Sequence, residues 1–184
     1  MTDQQALIED SQNVLENAEL LYTATEVDLA IEEIGAAISK KLNGSNPLIL
    51  PVMIGGLILA GRLIPKLNFP LQIDYIHATR YRGNTSGSDL KWFKKPEKSL
   101  QDRTVLLIDD ILDEGITLAA IIEYCYEAGA EKVLTAVLAE KILTKDKPLK
   151  SADFTALSVP DRYVFGYGMD YHEFHRNLTG IYAI

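Results

Sequence analysis

Residues 104–118 read TVLLIDDILDEGITL, and the architecture follows from how they are parsed. Thr104 to Asp109 is a short, continuous apolar run, the pattern of a strand buried on both faces. The chain then passes two acids and a glycine turn before Thr117 to Ala128, a helical segment that ends at Gly129. Val133 to Ala139 (VLTAVLA) is a second buried run. Strand, helix and strand at this spacing form a βαβ unit, which predicts a parallel sheet with helices on both faces. In such sheets ligands collect beyond the carboxyl ends of the strands, which directs attention to Asp109 through Thr117. A glycine turn opening a helix presents unpaired N–H groups and the positive end of the helix dipole, a setting suited to a phosphate monoester. Thr117 can add a hydroxyl donor. Asp109 and Asp110 suit ribose hydroxyls or a hydrated Mg²⁺, which takes carboxylates together with substrate oxygens. A turn that merely caps the helix is the plain alternative. No G-x-x-x-x-G-K-[ST] is present and no G-x-G-x-x-G follows a strand, which disfavours Walker-type nucleotide hydrolysis and dinucleotide binding.

On the N-terminal side, residues 23–43 read as an amphipathic helix. Thr23 and Glu26 are spaced as a capping box, Val27, Ile31, Ile34, Ile38 and Leu42 form one stripe, and Gly44 terminates it. Leu48 to Ile54 (LILPVMI) is another buried-strand run, meeting Gly55-Gly56 before a short helix-like segment. Leu71 to His77 (LQIDYIH) has extended character, after which periodicity vanishes to about residue 102. A stretch that long without pattern in a compact domain predicts a lid, unless the segment is misassigned. Phe154 to Val159 and Arg162 to Gly166 add two short extended pieces.

The chain has 184 residues, 47% apolar and 24% charged, which predicts one folded domain burying roughly 70% of its unfolded surface. Cys125 is the one cysteine and cannot form an internal bridge, and the acidic start MTDQQALIED lacks an apolar signal region. Both predict a cytoplasmic location. The longest apolar candidate, Pro47 to Ile64, is broken by Gly55, Gly56, Gly61 and Arg62, so no span of roughly 18 residues for a membrane helix is expected. Net charge is -8, a field that opposes a nucleic-acid backbone. Yet residues 80–103 hold seven basic against three acidic side chains. One cationic loop on an acidic protein predicts a small anionic ligand, with a solvated surface loop as the alternative.

With these pieces in order, VLLIDDILDEGITL resembles the phosphoribosyl-pyrophosphate (PRPP) motif of the type I phosphoribosyltransferases: a hydrophobic strand, two acids, two apolar residues, Asp, one residue, Gly, one residue, Thr. The similarity runs from about Leu48 to Arg176 and is strongest to the hypoxanthine-guanine branch. The Met53-Ile54-Gly55-Gly56 turn, Arg80-Tyr81, the PRPP motif, Lys141 at a strand end, and PDRYVFGYGMDYHEFHR over residues 160–176 match in the family's order. The resemblance implies one domain over 1–184, an open, mainly parallel sheet flanked by helices, with a small hood and a flexible lid loop at about 80–103. It also implies a non-proline cis peptide at Met53-Ile54.

The implied activity is transfer of the phosphoribosyl group of PRPP to hypoxanthine or guanine in purine salvage, giving IMP or GMP and pyrophosphate, with Mg²⁺ as cofactor and a homo-oligomer, dimer or tetramer, as the working form. Carried over residue by residue, Asp113 is the catalytic acid or base at purine N7, and Asp109, Asp110, Asp113, Glu114, Gly115, Ile116 and Thr117 hold the ribose 5-phosphate. Ile54, Gly55 and Arg176 face the pyrophosphate, and Arg80 and Tyr81 begin the lid. Lys141, Tyr163, Val164 and Asp170 receive the purine: Lys141 donates to O6, which favours 6-oxopurines, and Tyr163 stacks on the ring. Asp170, with Asp109 and Asp110, is the expected metal site. Two positions depart from the pattern: Glu114 stands where a small hydroxyl residue is usual, and Ile54 where lysine is frequent. His172 and His175 lack a third ligand for zinc and read as surface or lid residues. A non-catalytic PRPP- or nucleotide-sensing regulator of the same fold is the rival reading.

Overall fold

The computed structural model describes residues 3–80, 90–143 and 146–184. Helix α1 (Asp3–Asn17) and strand β1 (Glu19–Tyr22) open the chain, followed by α2 (Ala24–Leu42), β2 (Leu48–Met53) and α3 (Gly56–Leu63). Two short strands, β3 (Gln72–Ile73) and β4 (Ile76–Arg80), precede β5 (Leu90–Lys94). The βαβ unit is β6 (Thr104–Leu112), α4 (Ile116–Glu127) and β7 (Lys132–Lys141), and the chain closes with β8 (Phe154–Val159), β9 (Val164–Phe165) and β10 (Ile181–Ala183).

The main sheet runs β5-β4-β2-β6-β7-β8, with β3 also paired to β2. All its pairings are parallel except β4 with β5. It is therefore the open, mixed but mainly parallel sheet anticipated. Period-two alternation sends successive strand residues to opposite faces. Leu106 and Ile108 join Ile31, Ile38, Leu59 and Leu63 of α2 and α3, whereas Val105 and Leu107 join Leu118, Ile121 and Cys125 of α4. Each fully buried Leu or Ile contributes about 1.5–3 kcal/mol relative to exposure.

α2 starts as expected: Thr23 accepts from the Glu26 N–H, and the Glu26 carboxylate accepts from the Thr23 N–H in return. Gly44, at φ 87°, carries the chain away. A second sheet, β1-β10-β9, is antiparallel and forms the hood. Val164, Tyr167, Met169 and Ile181 continue the α2–α3 core into it, and α1 fastens to it through Tyr171 Oη donating to Asp10 at 2.9 Å and His175 Nε2 donating to the Ser11 carbonyl at 2.7 Å.

The structure corrects the expected boundaries in several places. β6 continues through both acids to Leu112 instead of ending at Asp109. The extended piece Leu71 to His77 is divided between β3 and β4, with Asp74 between them accepting from the Glu97 and Lys98 N–H groups. The stretch assigned wholly to a lid contains β5, and Arg162 to Gly166 reduces to Val164–Phe165 in strand form. His172 is exposed, in keeping with a surface residue, whereas His175 is half-buried and anchors the hood to α1. Tyr81 lies outside the described residues, and Arg80 is described only as the last residue of β4.

Candidate functional site

The carboxyl ends of β2 and β6 open into a cleft of ≈ 1090 Å³ lined by the 52–55 turn, residues 109–118, one face of the β4–β5 ribbon, Asp170, Glu173 and Arg176. A smaller pocket of ≈ 190 Å³ adjoins it, lined by Asp110, Ile111, Asp113, Lys141, Tyr163, Val164, Met169 and Asp170. Asp110, Asp113 and Asp170 line both. One space thus suits an extended charged ligand, and the other a flat group entering beside it.

The turn before α4 has a shape that could receive an anion. Gly115 adopts the left-handed conformation, φ 74°, and no side chain caps the helix behind it. Unlike Thr23 at the start of α2, the N-cap residue Gly115 offers no side-chain acceptor to the first-turn N–H groups of α4, and such N–H groups can receive an external anion. Gly115 is backed closely by the Leu149 carbonyl, 3.0 Å from where a Cβ would lie.

Asp109 follows Val105 and Leu107 on the α4 face of β6, while Asp110 follows Leu106 and Ile108 on the opposite face. Both carboxylates turn onto the local backbone: Asp109 Oδ1 accepts from the Asp110 N–H at 3.0 Å, and Asp110 Oδ1 from the Ile111 N–H at 2.8 Å. Burial holds both above the usual carboxylate range, and at Asp109 the neighbouring Asp110 charge adds to it.

Asp110 also explains the glycine turn. A Cβ on Gly55 would stand 2.1 Å from Asp110 Oδ2, and one on Gly168 would stand 2.4 Å from the Gly55 carbonyl oxygen. The Met53-Ile54 peptide is cis, as the resemblance implied, and the Ile54 side chain is 52% exposed.

Arg176 ties the hood to this centre. Its Nη1 donates to the Gly168 carbonyl at 2.6 Å and lies 3.9 Å from Asp110, while Nη2 pairs with Asp170 at 2.6 Å. Asp170 also accepts from the Glu173 N–H at 2.8 Å. In the smaller pocket Lys141 Nζ donates to Asp113 Oδ2 at 2.9 Å. The Tyr163 ring, 48% exposed, is fixed by its hydroxyl donating to the Asp170 carbonyl at 3.0 Å and by an edge contact with Tyr171. Val164 forms the adjoining wall as part of β9.

Among the described residues no three acidic, histidine or cysteine side chains converge as a metal cage. A cation here would complete its shell with ligand oxygens and water, the ordinary habit of Mg²⁺. The donors fit: Asp109, Asp110 and Asp170 all line the same cleft, and the two on β6 are poorly compensated acids whose ionised form a divalent cation would stabilise.

The expected residues therefore come together, apart from the lid start. Sequence reasoning missed His77, Thr79, Lys91, Phe93 and Glu173, all of which line the cleft. The alternation in LKWFK was the available signal, with Trp92 packed on Tyr124 in the core direction and Lys91 and Phe93 facing the cleft. Three other basic residues of the cationic stretch face elsewhere: Lys94 pairs with Glu97, Lys95 covers Trp92 and Tyr124, and Arg103 reaches Gln72 and the Asn46 carbonyl.

Comparison with known proteins identifies a family for the chain. The family described as the phosphoribosyl transferase domain matches residues 18–173. The hypoxanthine-guanine phosphoribosyltransferase of Bacillus subtilis (strain 168) is 31% identical over 163 residues, 88% of this chain and 90% of that protein. The hypoxanthine-guanine-xanthine phosphoribosyltransferase of Tritrichomonas foetus is 28% identical over 162 residues, 88% of each chain. Among solved structures, a hypoxanthine phosphoribosyltransferase from Staphylococcus aureus superposes with a TM-score of 0.83 at 27% identity, covering 90% of each chain.

Proposed function

The chain belongs to the phosphoribosyl transferase family, and from that premise we propose that it is a purine-salvage enzyme that transfers the phosphoribosyl group of PRPP to hypoxanthine or guanine. The observation that carries this reading is the pairing of Lys141 with Asp113 in the small pocket, directly beside the glycine turn that opens α4. The products are IMP or GMP and pyrophosphate. We read residues 1–184 as one such domain.

The purine enters the smaller pocket against Tyr163, with Val164 bordering it. Lys141 donates to O6, so a 6-amino group would meet a donor with a donor. Purine N9 bonds to the sugar C1 as the C1–oxygen bond to pyrophosphate breaks, and the Asp113 carboxylate takes the proton that leaves N7. The turn from Asp113 to Thr117 grips the 5-phosphate, and Asp109 and Asp110 orient the ribose hydroxyls. Glu114, in that turn, is held by contacts of its own and contributes through its backbone. Gly55 and Ile54 lend backbone N–H groups to the diphosphate beside Arg176. Asp170, Asp109 and Asp110 would hold Mg²⁺, which when bound would supply charge stabilisation for the leaving diphosphate.

Arg80 and Tyr81 begin the lid that excludes water from the reacting carbon. Exposed Leu29 on α2 and Leu57 on α3 support a homo-oligomer. The single buried thiol, Cys125, supports a cytoplasmic setting, and among the described residues no helix is long and apolar enough to cross a membrane. The test is pyrophosphate release from PRPP and Mg²⁺ with a panel of nucleobases. Turnover with hypoxanthine or guanine and none with adenine is expected; silence with every base would refute the reading.

A further inference from the structure

We infer that Lys91, on the cleft face of the β4–β5 ribbon, is a pyrophosphate-binding residue that supplies the cation Ile54 does not. This rests on the phosphoribosyltransferase reading and deepens it. The larger cleft is lined, among the described residues, by six carboxylates against two permanent cations, Lys91 and Arg176. Arg176 is already engaged with Asp170 at 2.6 Å. Lys141, which lines only the smaller pocket, is engaged with Asp113. Lys91 is the cleft cation that has no carboxylate partner among the described residues, its ammonium resting instead over the Phe93 ring at 4.7 Å.

Its position selects the diphosphate end of the cleft. His77 is the register partner of Met53, the residue before Ile54. His77 stacks on Phe93 at 4.6 Å, and Phe93 carries Lys91. The turn, the imidazole, the benzyl ring and the ammonium thus form one continuous wall. Lys91 is also the register partner of Thr79 on the same face, and none of the ribbon residues lines the purine pocket. Period-two alternation fixes the direction: Ala78 and Trp92 belong to the core, so His77, Thr79, Lys91 and Phe93 must face out. A leaving group that carries several negative charges, bound next to six carboxylates, needs such a cation in addition to any metal.

The test compares Lys91→Gln and Lys91→Arg with the unmodified enzyme by steady-state kinetics and by calorimetric titration with magnesium pyrophosphate and with IMP. Lys91→Gln should raise the KM for PRPP and the inhibition constant of pyrophosphate about tenfold or more. The KM for the base and the affinity for IMP, which lacks the diphosphate, should stay within twofold of the original. Lys91→Arg should recover most of the pyrophosphate affinity. Lys91 is exposed, so unchanged melting of the Gln variant is the folding control. Pyrophosphate affinity unchanged in Lys91→Gln overturns the assignment, as do equal losses for IMP and pyrophosphate. An unmodified enzyme that binds neither PRPP nor pyrophosphate would overturn the underlying activity instead, a distinguishable result.

Discussion

Lys141 Nζ lies 2.9 Å from Asp113 Oδ2, joining the end of β7 to the base of the turn that opens α4. The lysine side chain is 12% exposed and the aspartate 45%, so the cation is held in the wall while the carboxylate remains open to a ligand. On the proposed reading, a purine that places O6 at the ammonium would bring N7 toward the carboxylate, so that the two side chains would meet two polar atoms on one edge of the heterocycle.

Asp113→Asn keeps the shape and removes the proton acceptor. It should lower kcat by about 10²- to 10⁴-fold with little change in the KM for PRPP. Single-turnover kinetics with both substrates saturating is the check, and turnover at the original rate would exclude Asp113 as the acid-base group.

Lys141→Gln should raise the KM for hypoxanthine and guanine by about 10- to 100-fold, the cost of a charge-assisted hydrogen bond, and narrow the gap between 6-oxopurines and adenine. Competition between the bases measures this directly. An undiminished preference for the 6-oxopurine would assign recognition to other groups.

The β6 acids yield a stability prediction. Burial raises both carboxyls above their unfolded values, so the folded state is not penalised below the unfolded value of about 4. It loses stability as pH rises through the elevated folded values. Asp109→Asn should therefore melt higher than the unmodified protein at pH 7, by about 2–4 °C for each kcal/mol relieved, with the gain shrinking toward pH 4. Thermal melts across that range check it, and the same variant should lose activity.

Gly55→Ala introduces a methyl group 2.1 Å from Asp110 Oδ2. Either the turn or the carboxylate must move, at a cost of about 1–3 kcal/mol visible in urea unfolding, and the KM for PRPP should rise because the displaced groups border the diphosphate.

Burial pushes the Cys125 thiol up to about 12, leaving almost no thiolate at pH 8. Alkylation of the native protein should be slow and should become rapid in denaturant; fast native labelling would contradict the packing of α4 on the sheet.

The strands buried on both faces, β2, β6 and β7, were legible in sequence because nothing interrupts their apolar runs, and α2 because its stripe and capping box agree. The phosphate turn was legible as the junction of such a strand with a helix. α1 left no comparable trace: Leu7 and Ile8 remain exposed and its hold on the hood is made by the Asp10 carboxylate and the Ser11 carbonyl. β1 and β10 are short and pair Glu19 with Ala183, a contact that no local pattern announces. Beyond His77 the β4–β5 ribbon shows no pattern in sequence because its outward residues Thr79 and Lys91 line a cleft and look like loop composition. The Asp170–Arg176 pairing depends on a hood backbone with left-handed residues at His172, Glu173 and His175, conformations that residue type does not foretell.

The central claim is that the 113–117 turn binds the terminal phosphate of a sugar whose base lies against Tyr163, Lys141 and Asp113. The most direct test is a crystal structure with bound IMP or GMP. Phosphate oxygens within hydrogen-bond distance of the N–H groups of residues 114–117, with the purine O6 on Lys141, are the predicted result. A nucleotide bound elsewhere with that turn unfilled would contradict the account.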